Sequence, residues 1–301
     1  MTKKIFVSIR KNHDVLDKVV RKLKEYSDFE VFVHHPFEDI INLTDILNQL
    51  KKSDYLILKA SNKISIDILH FAKFYNVPAL HDLDTVVTCR SKIALDCRLR
   101  QIFEKYQDEF NDFLLPIPNS WVGCINEKNL EVFKEWAKPL LPLVLKSHDQ
   151  HDKHIRFSFL ARTIEEIDAF YERFKDVLYY SIYIQKHINC DDIDRKIYVI
   201  GDKVSGVQRE SPLAIAIREN LDFIDVDKIN KEEFEIPEKA VQLAKILADE
   251  INLKLFGFDL IKSLDHEGKY YLIDVNDFPG YRGLKNAEDM IVDYLLKILN
   301  F

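Results

Sequence analysis

Glycine is scarce in this chain: only seven occur among 301 residues, and six of them lie after residue 200. No GxxxxGK[ST] phosphate loop and no GxGxxG fingerprint is present, which sets aside P-loop kinases, protein-kinase glycine loops and ordinary dinucleotide folds. If this chain holds a nucleotide, side chains and strand backbone must do the work. Cysteine is thin as well. Cys89, Cys97, Cys124 and Cys190 form no CxxC pair and read as reduced, buried thiols of a cytoplasmic protein. No apolar run reaches the roughly 18 to 20 residues that span a bilayer. The N-terminal MTKKIFVSIRK lacks the apolar core and cleavage site of a signal peptide. A cytoplasmic protein without a membrane partner is therefore expected. The net charge of −7 argues against broad nucleic-acid binding, but a local basic cleft for an anionic small molecule remains open.

What is present fits a compact enzyme of several cores, with 47% apolar and 31% charged residues. Residues 1–84 alternate strand-like runs (KKIFVSI, FEVFVHH, DYLILKA and Val77–Leu80) with helical periodicity at Asp14–Tyr26, DIINLTDILNQLKKS and ISIDILHFAKFYN. That alternation predicts an α/β unit on a parallel sheet. Asp82–Tyr106 reads as one helix, within a helical segment 85–112 that should pack on the C-terminal domain. A β-α-β module follows over 113–185, and a strand-rich C-terminal domain over 186–301. The C-terminal domain includes a helix near Pro237–Glu250 and a closing helix at Ala287–Leu299.

The chemistry concentrates in Gly257–Gly283, GFDLIKSLDHEGKYYLIDVNDFPGYRG. A DHEG turn joins two strand-like runs. Alternation puts Asp274 and Asn276 on one face, and in-register pairing puts Asp259 across from them. Two carboxylates and an amide oxygen suit Mg²⁺, which completes its shell with water and substrate phosphates. The bland alternative is an acidic strand end capped by its turn. Gly280, in the Phe-Pro-Gly-Tyr turn, would allow close backbone approach to a ligand. Lys146 ends the apolar run PLVLK, where it can meet a phosphate or simply be solvated. His148, His151 and His154 recur every three residues; a loop offering imidazoles to a phosphorylated substrate is preferred over a zinc site. Tyr183-Ile184-Gln185 closes a β-prone run whose backbone could meet an adenine edge. Lys196 stands on the next strand, with Arg209 and Ser211 one strand further on.

In this order the features resemble the ATP-grasp superfamily, and within it the inositol trisphosphate 5/6-kinases (inositol-tetrakisphosphate 1-kinases). The resemblance runs from about residue 85 to the C-terminus. It rests on Arg90-Ser91-Lys92, PIPNS at Pro116–Ser120, Lys146 followed by His151, YIQKHIN, RKIYVIGD, VQR, LFGFDLI and DVNDFPGY. It implies an α/β (α+β) ATP-grasp fold: an N-terminal pre-ATP-grasp domain, a central module and a C-terminal sheet domain. It implies ATP among Arg90, Lys146, Gln185, Lys186, His187, Ile188, Lys196 and Ser211. Two Mg²⁺ would lie on Asp259, Asp274 and Asn276. An inositol phosphate would be bordered by His151, His154, Lys196, Asn276 and Gly280, with Lys11, Arg10 or His13 for a remote phosphate. Lys196 and His151 are the catalytic candidates. The family's usual glycine after the position of His151 is replaced here by HDKH, so His154 matches only across a gap. The expected activity is inositol polyphosphate kinase, in a monomer. A carboxylate–amine ligase working through an acyl phosphate is the main alternative, and a non-catalytic nucleotide sensor the third.

Overall fold

A computed structural model describes residues 2–150, 155–179, 181–219, 224 and 228–299. Among the described residues, strands gather into three sheets of three, four and five strands. The N-terminal sheet is parallel, in the order β2 (Phe29–His34), β1 (Lys3–Ser8), β3 (Tyr55–Leu58). Helix α1 (Leu16–Glu25) crosses between its first two strands; α2 (Leu43–Lys51) and α3 (Lys63–Phe74) follow. Leu16, Val19, Val20 and Leu23 recur at helical spacing, and all four are buried. The run Val77–Leu80 forms only an isolated parallel bridge, Leu56 to Ala79, instead of a full strand.

The helix expected over Asp82–Tyr106 is two helices, α4 (Leu83–Arg90) and α5 (Lys92–Phe110). Ser91 divides them with extended dihedrals (φ −85°, ψ 109°), and its Oγ accepts from the Ala94 N–H at 3.2 Å. A serine that can cap the next helix competes with continuation of the previous one. Helix α5 also runs past the expected end to Phe110, bending at Tyr106 (φ −117°, ψ 16°).

The central sheet is antiparallel in the order β4 (Ser120–Gly123), β7 (Ile182–Lys186), β5 (Leu143–Ser147), β6 (Ser158–Ala161). Helices α6 (Leu130–Ala137) and α7 (Ile164–Phe174) cover one face, where Phe133, Phe157 and Phe170 join Leu143, Leu145, Ile182 and Ile184 in a core of their own.

The C-terminal sheet is also antiparallel: β10 (Glu232–Glu233), β9 (Lys203–Glu210), β8 (Ile193–Ile200), β11 (Leu255–Lys262), β12 (Tyr270–Asn276). Helix α8 (Pro212–Glu219) and strand β10 were not anticipated from the sequence. One face of this sheet packs on α5 and α9 (Glu238–Ile251) through Leu95, Leu99, Leu243, Leu247, Phe256 and Phe258. Another core joins β1 and α1 to α10 (Ala287–Ile298), where Ile5, Val7 and Leu23 meet Tyr281, Ile291 and Leu295.

Candidate active site

The β11–β12 hairpin brings the acidic residues together as its alternation requires. Asp259 and Asp274 are direct cross-strand partners, and Gly257 lies opposite Asn276. The register then slips, with Leu260 facing Leu272, so the bulge falls immediately beside the carboxylate pair. Phe258 and Val275 turn to the opposite face and are fully buried, leaving Asp259, Asp274 and Asn276 on the cleft side. Each carboxylate holds an ammonium group. Lys92 Nζ lies 2.5 Å from Asp274 Oδ1, and Lys196 Nζ lies 2.7 Å from Asp259 Oδ1. Burial would raise the Asp274 carboxyl, but Lys92, Lys196 and Lys146 together outweigh it and the net shift is downward. Burial would likewise lower the Lys196 ammonium; Asp259, with Tyr198 and Asp274, prevails and the shift is upward. Among the described residues no three His, Cys, Asp or Glu side chains gather as a metal cluster. Two carboxylates plus an amide nevertheless make a donor set of hard oxygens that already accepts cations. It suits an ion that shares its shell with phosphates.

A cleft of about 380 Å³ opens beside this hairpin, between the central and C-terminal sheets. Lys146, Gln185, Lys186, His187, Ile188 and Ser211 all line it, together with Asp259 and Asp274. Val144, Ile193, Leu213 and Ile273 supply apolar walls. Lys146 donates to Gln185 Oε1 at 3.0 Å. Burial and the nearby Lys92 charge bring its pKa down to about 8. The Lys186 ammonium turns elsewhere, to the carbonyls of Leu140 (2.7 Å) and Leu141 (3.2 Å). Arg90 is not part of the cleft wall; its guanidinium pairs with Asp149 Oδ2 at 2.6 Å. Sequence reasoning passed over Asp194, a cleft residue on β8 whose carboxyl is raised by burial and by Asp259, and which lies 3.6 Å from Arg209.

Beyond the hairpin the charge turns positive. A Cβ on Gly280 would stand 3.9 Å from His13 Nε2 and 3.8 Å from Arg282 Cγ. Lys59, at the end of β3, donates to the Phe278 carbonyl. Burial brings Lys59 down to about 8, with Arg10, Lys196 and Arg282 adding to the effect against Asp277. His13 is lowered to about 4 by burial and then by Lys59, Arg10 and Arg282. Five basic groups thus share one region, and a sixth, Lys11, is exposed on the same loop. Asp277 is buried there with Oδ2 unpartnered, and burial raises it to about 6. Lys59 and Arg282 were missed in the sequence. The signal for Lys59 was available, since YLILK repeats the pattern of PLVLK. His151 and His154 lie outside the described residues.

The three-sheet architecture, with a cleft between two antiparallel sheets, is that of the ATP-grasp proteins. The chain matches the RimK domain protein ATP-grasp of Sphaerobacter thermophilus with a TM-score of 0.67 at 12% identity, over 97% of this chain and 99% of that one. It matches D-alanine–D-alanine ligase from Bacillus anthracis with a TM-score of 0.64 at 14% identity, over 99% of both. Such identities establish the fold alone.

Residues 215–297 match the family described as the inositol 1,3,4-trisphosphate 5/6-kinase ATP-grasp domain, and the resemblance read from the sequence is borne out. Inositol-tetrakisphosphate 1-kinase 2 of Glycine max is 32% identical over 132 residues, covering 38% of this chain and 42% of that protein. Inositol-tetrakisphosphate 1-kinase 1 of Arabidopsis thaliana is 27% identical over 135 residues, with the same coverages of 38% and 42%. The match spans less than half the length of these curated relatives.

Proposed function

We propose that this chain is an ATP- and Mg²⁺-dependent inositol polyphosphate kinase. The observation that carries the reading is the convergence of the cations Arg10, Lys59, Lys196 and Arg282, with the neutral His13 imidazole among them, around the Gly280 turn, next to the acidic hairpin. A carboxylate acceptor needs about one cationic clamp, whereas a polyphosphate ring needs several. ATP would occupy the cleft lined by Lys146, Gln185, His187, Ile188 and Ser211, with its phosphates directed at Lys146 and the hairpin.

Asp259, Asp274 and Asn276 would hold Mg²⁺, two ions in this reading, and Mg²⁺ there would neutralise charge on the transferring phosphoryl group. The chain's own contribution is orientation. Lys196 stands between the Asp259 carboxylate and the basic end, where a γ-phosphoryl group and an inositol hydroxyl would meet. Fixed positive charge at that junction favours in-line attack by the hydroxyl without a strong protein base. His151 remains the candidate for handling the hydroxyl proton or holding a substrate phosphate, and His154 for bordering the ring. The reading includes a monomer acting in the cytoplasm on a small molecule, without nucleic-acid or membrane partners. Among the described residues no helix is long and apolar enough to cross a membrane.

The test is incubation with ATP and Mg²⁺ against a panel of inositol phosphates and a panel of amino acids, scoring ADP and the phosphorylated product. ADP formed only with inositol phosphates, with phosphate appearing on the ring, is expected. ADP that requires a carboxylate plus an amine would overturn the kinase in favour of the ligase.

A further inference from the structure

One face of the central sheet carries a directed chain of hydrogen bonds that begins on a different domain. Lys146 and Tyr183 are cross-strand partners, as are Gln185 and Ser120, so all four side chains share that face. Opposite them stands Asp96 of α5, a helix whose Leu95, Leu99 and Ile102 belong to the C-terminal core. Tyr183 donates its hydroxyl to Asp96 Oδ2 at 2.6 Å, and Ser120 donates to the same oxygen at 2.9 Å. Arg100 holds Oδ1 at 2.6 Å and reaches on to the Pro118 carbonyl at 2.7 Å. Gln185 Nε2 donates to the Tyr183 oxygen at 3.2 Å, and Gln185 Oε1 accepts from Lys146 Nζ at 3.0 Å. Asp96, Tyr183 and Gln185 are each less than 10% exposed.

The direction of this chain is forced. An ionised carboxylate can only accept, so the tyrosine hydroxyl must spend its single proton on Asp96. The phenol oxygen is then left as an acceptor, which draws the amide nitrogen of Gln185 toward it. The amide oxygen has to face Lys146 as a result. Without the tyrosine hydroxyl, both orientations of the Gln185 amide become available, and one of them points N–H groups at an ammonium.

We propose that Asp96 and Tyr183 are positioning residues for nucleotide binding: through Gln185 they fix the Lys146 ammonium at the mouth of the cleft, where it meets ATP phosphates. The proposal rests on the reading of the cleft as an ATP site. It assigns to α5 the task of registering the central sheet against the C-terminal domain at the point where the phosphates cross between them. Neither Asp96 nor Tyr183 touches the nucleotide in this scheme.

Calorimetry with Mg·ATP on the full chain, together with KM values for ATP and for an inositol phosphate, tests it. Tyr183→Phe is nearly isosteric and is expected to weaken ATP binding roughly tenfold, as loss of a charge-linked hydrogen bond does, while the inositol phosphate KM stays within about twofold. Asp96→Asn retains a carbonyl that accepts from Tyr183 and should keep most of the affinity, whereas Asp96→Ala should lose it. Adding Tyr183→Phe to Lys146→Met should change nothing further, because the group being positioned is gone. Unchanged ATP affinity in Tyr183→Phe would overturn the proposal. So would an additive loss on top of Lys146→Met, or a parallel rise in both KM values. Absence of Mg·ATP binding to the unmodified protein would instead remove the ATP-site reading, and the proposal with it.

Discussion

Lys92 Nζ sits 2.5 Å from Asp274 Oδ1, so the carboxylate best placed to receive a divalent ion already carries a monovalent cation. An ion arriving at Asp274 must displace or share with that ammonium. Lys92→Met keeps the bulk of the stem but leaves a buried carboxylate uncompensated, a costly arrangement. The variant is expected to melt lower than the parent without Mg²⁺ and to gain more Tm on Mg²⁺ addition. The Mg²⁺ concentration at half effect should fall roughly tenfold, in proportion to a lost charge-assisted contact. Asp274→Asn should show no Mg²⁺-dependent stabilisation and no ATP turnover. Thermal melts across a Mg²⁺ series check both.

In the proposed reading, Lys59 and Gly280 lie on the substrate side of the hairpin. Lys59→Met should raise the inositol phosphate KM by roughly tenfold or more, the cost of one phosphate-bound cation, and leave ATP affinity within about twofold. Gly280→Val would push methyl groups toward His13 and Arg282, from which even a Cβ stands only 3.9 and 3.8 Å. It should show the same split. Steady-state kinetics with each substrate varied in turn would reveal it.

A lysine must be protonated to hold a phosphate, and burial has brought Lys59 from 10.5 down to about 8. Affinity for the inositol phosphate should therefore fall as pH rises through about 8, well before an ordinary lysine would titrate. Lys59→Arg keeps its charge throughout this range and should flatten that limb of the KM profile. A profile that is equally steep in both proteins would contradict the assignment.

The hairpin was legible because its two signals agree: period-two alternation set the faces, and the DHEG turn set the pairing. Together they put Asp259 opposite Asp274, and the structure pairs those two directly. The bulge beside them was not legible, since a one-residue slip leaves no mark in composition. Lys92 was visible only as a member of the Arg90-Ser91-Lys92 string, with no partner indicated. Its meeting with Asp274 spans 182 positions and depends on how α5 lies across the sheet. Asp96 gave no signal at all, because an acid on an amphipathic helix reads as a solvated face. The break at Ser91 had a local signal, since serine is a favoured N-cap residue and here accepts from the Ala94 N–H. The basic end was half read: Lys11, Arg10 and His13 were alternatives for one remote phosphate, while Lys59 and Arg282 join that region through tertiary packing.

Two buried imidazoles contribute to the response to acid. His81 Nε2 accepts from the N–H groups of Lys254 (3.0 Å) and Leu255 (3.2 Å), and burial brings its pKa from 6.5 down to about 3. His13 Nδ1 accepts from Val15 and Leu16, and stays neutral to about 4. Between 6.5 and these values the unfolded chain binds protons that the folded chain refuses. Stability should therefore fall as pH drops through that window and be level just above it, as far as these two groups are concerned. His81→Gln supplies an acceptor oxygen that does not titrate, and should reduce the slope. Urea denaturation at a series of pH values measures it.

The core that joins β1 and α1 to α10 ties together residues far apart in sequence, with Ile5 and Leu23 packed in one cluster with Ile291 and Leu295. During synthesis β1 leaves the ribosome well before α10 exists, so its apolar face is bare. The N-terminal unit therefore cannot complete its interior until residues 287–298 have emerged, and a nascent chain stalled before residue 287 would present that face to chaperones and proteases.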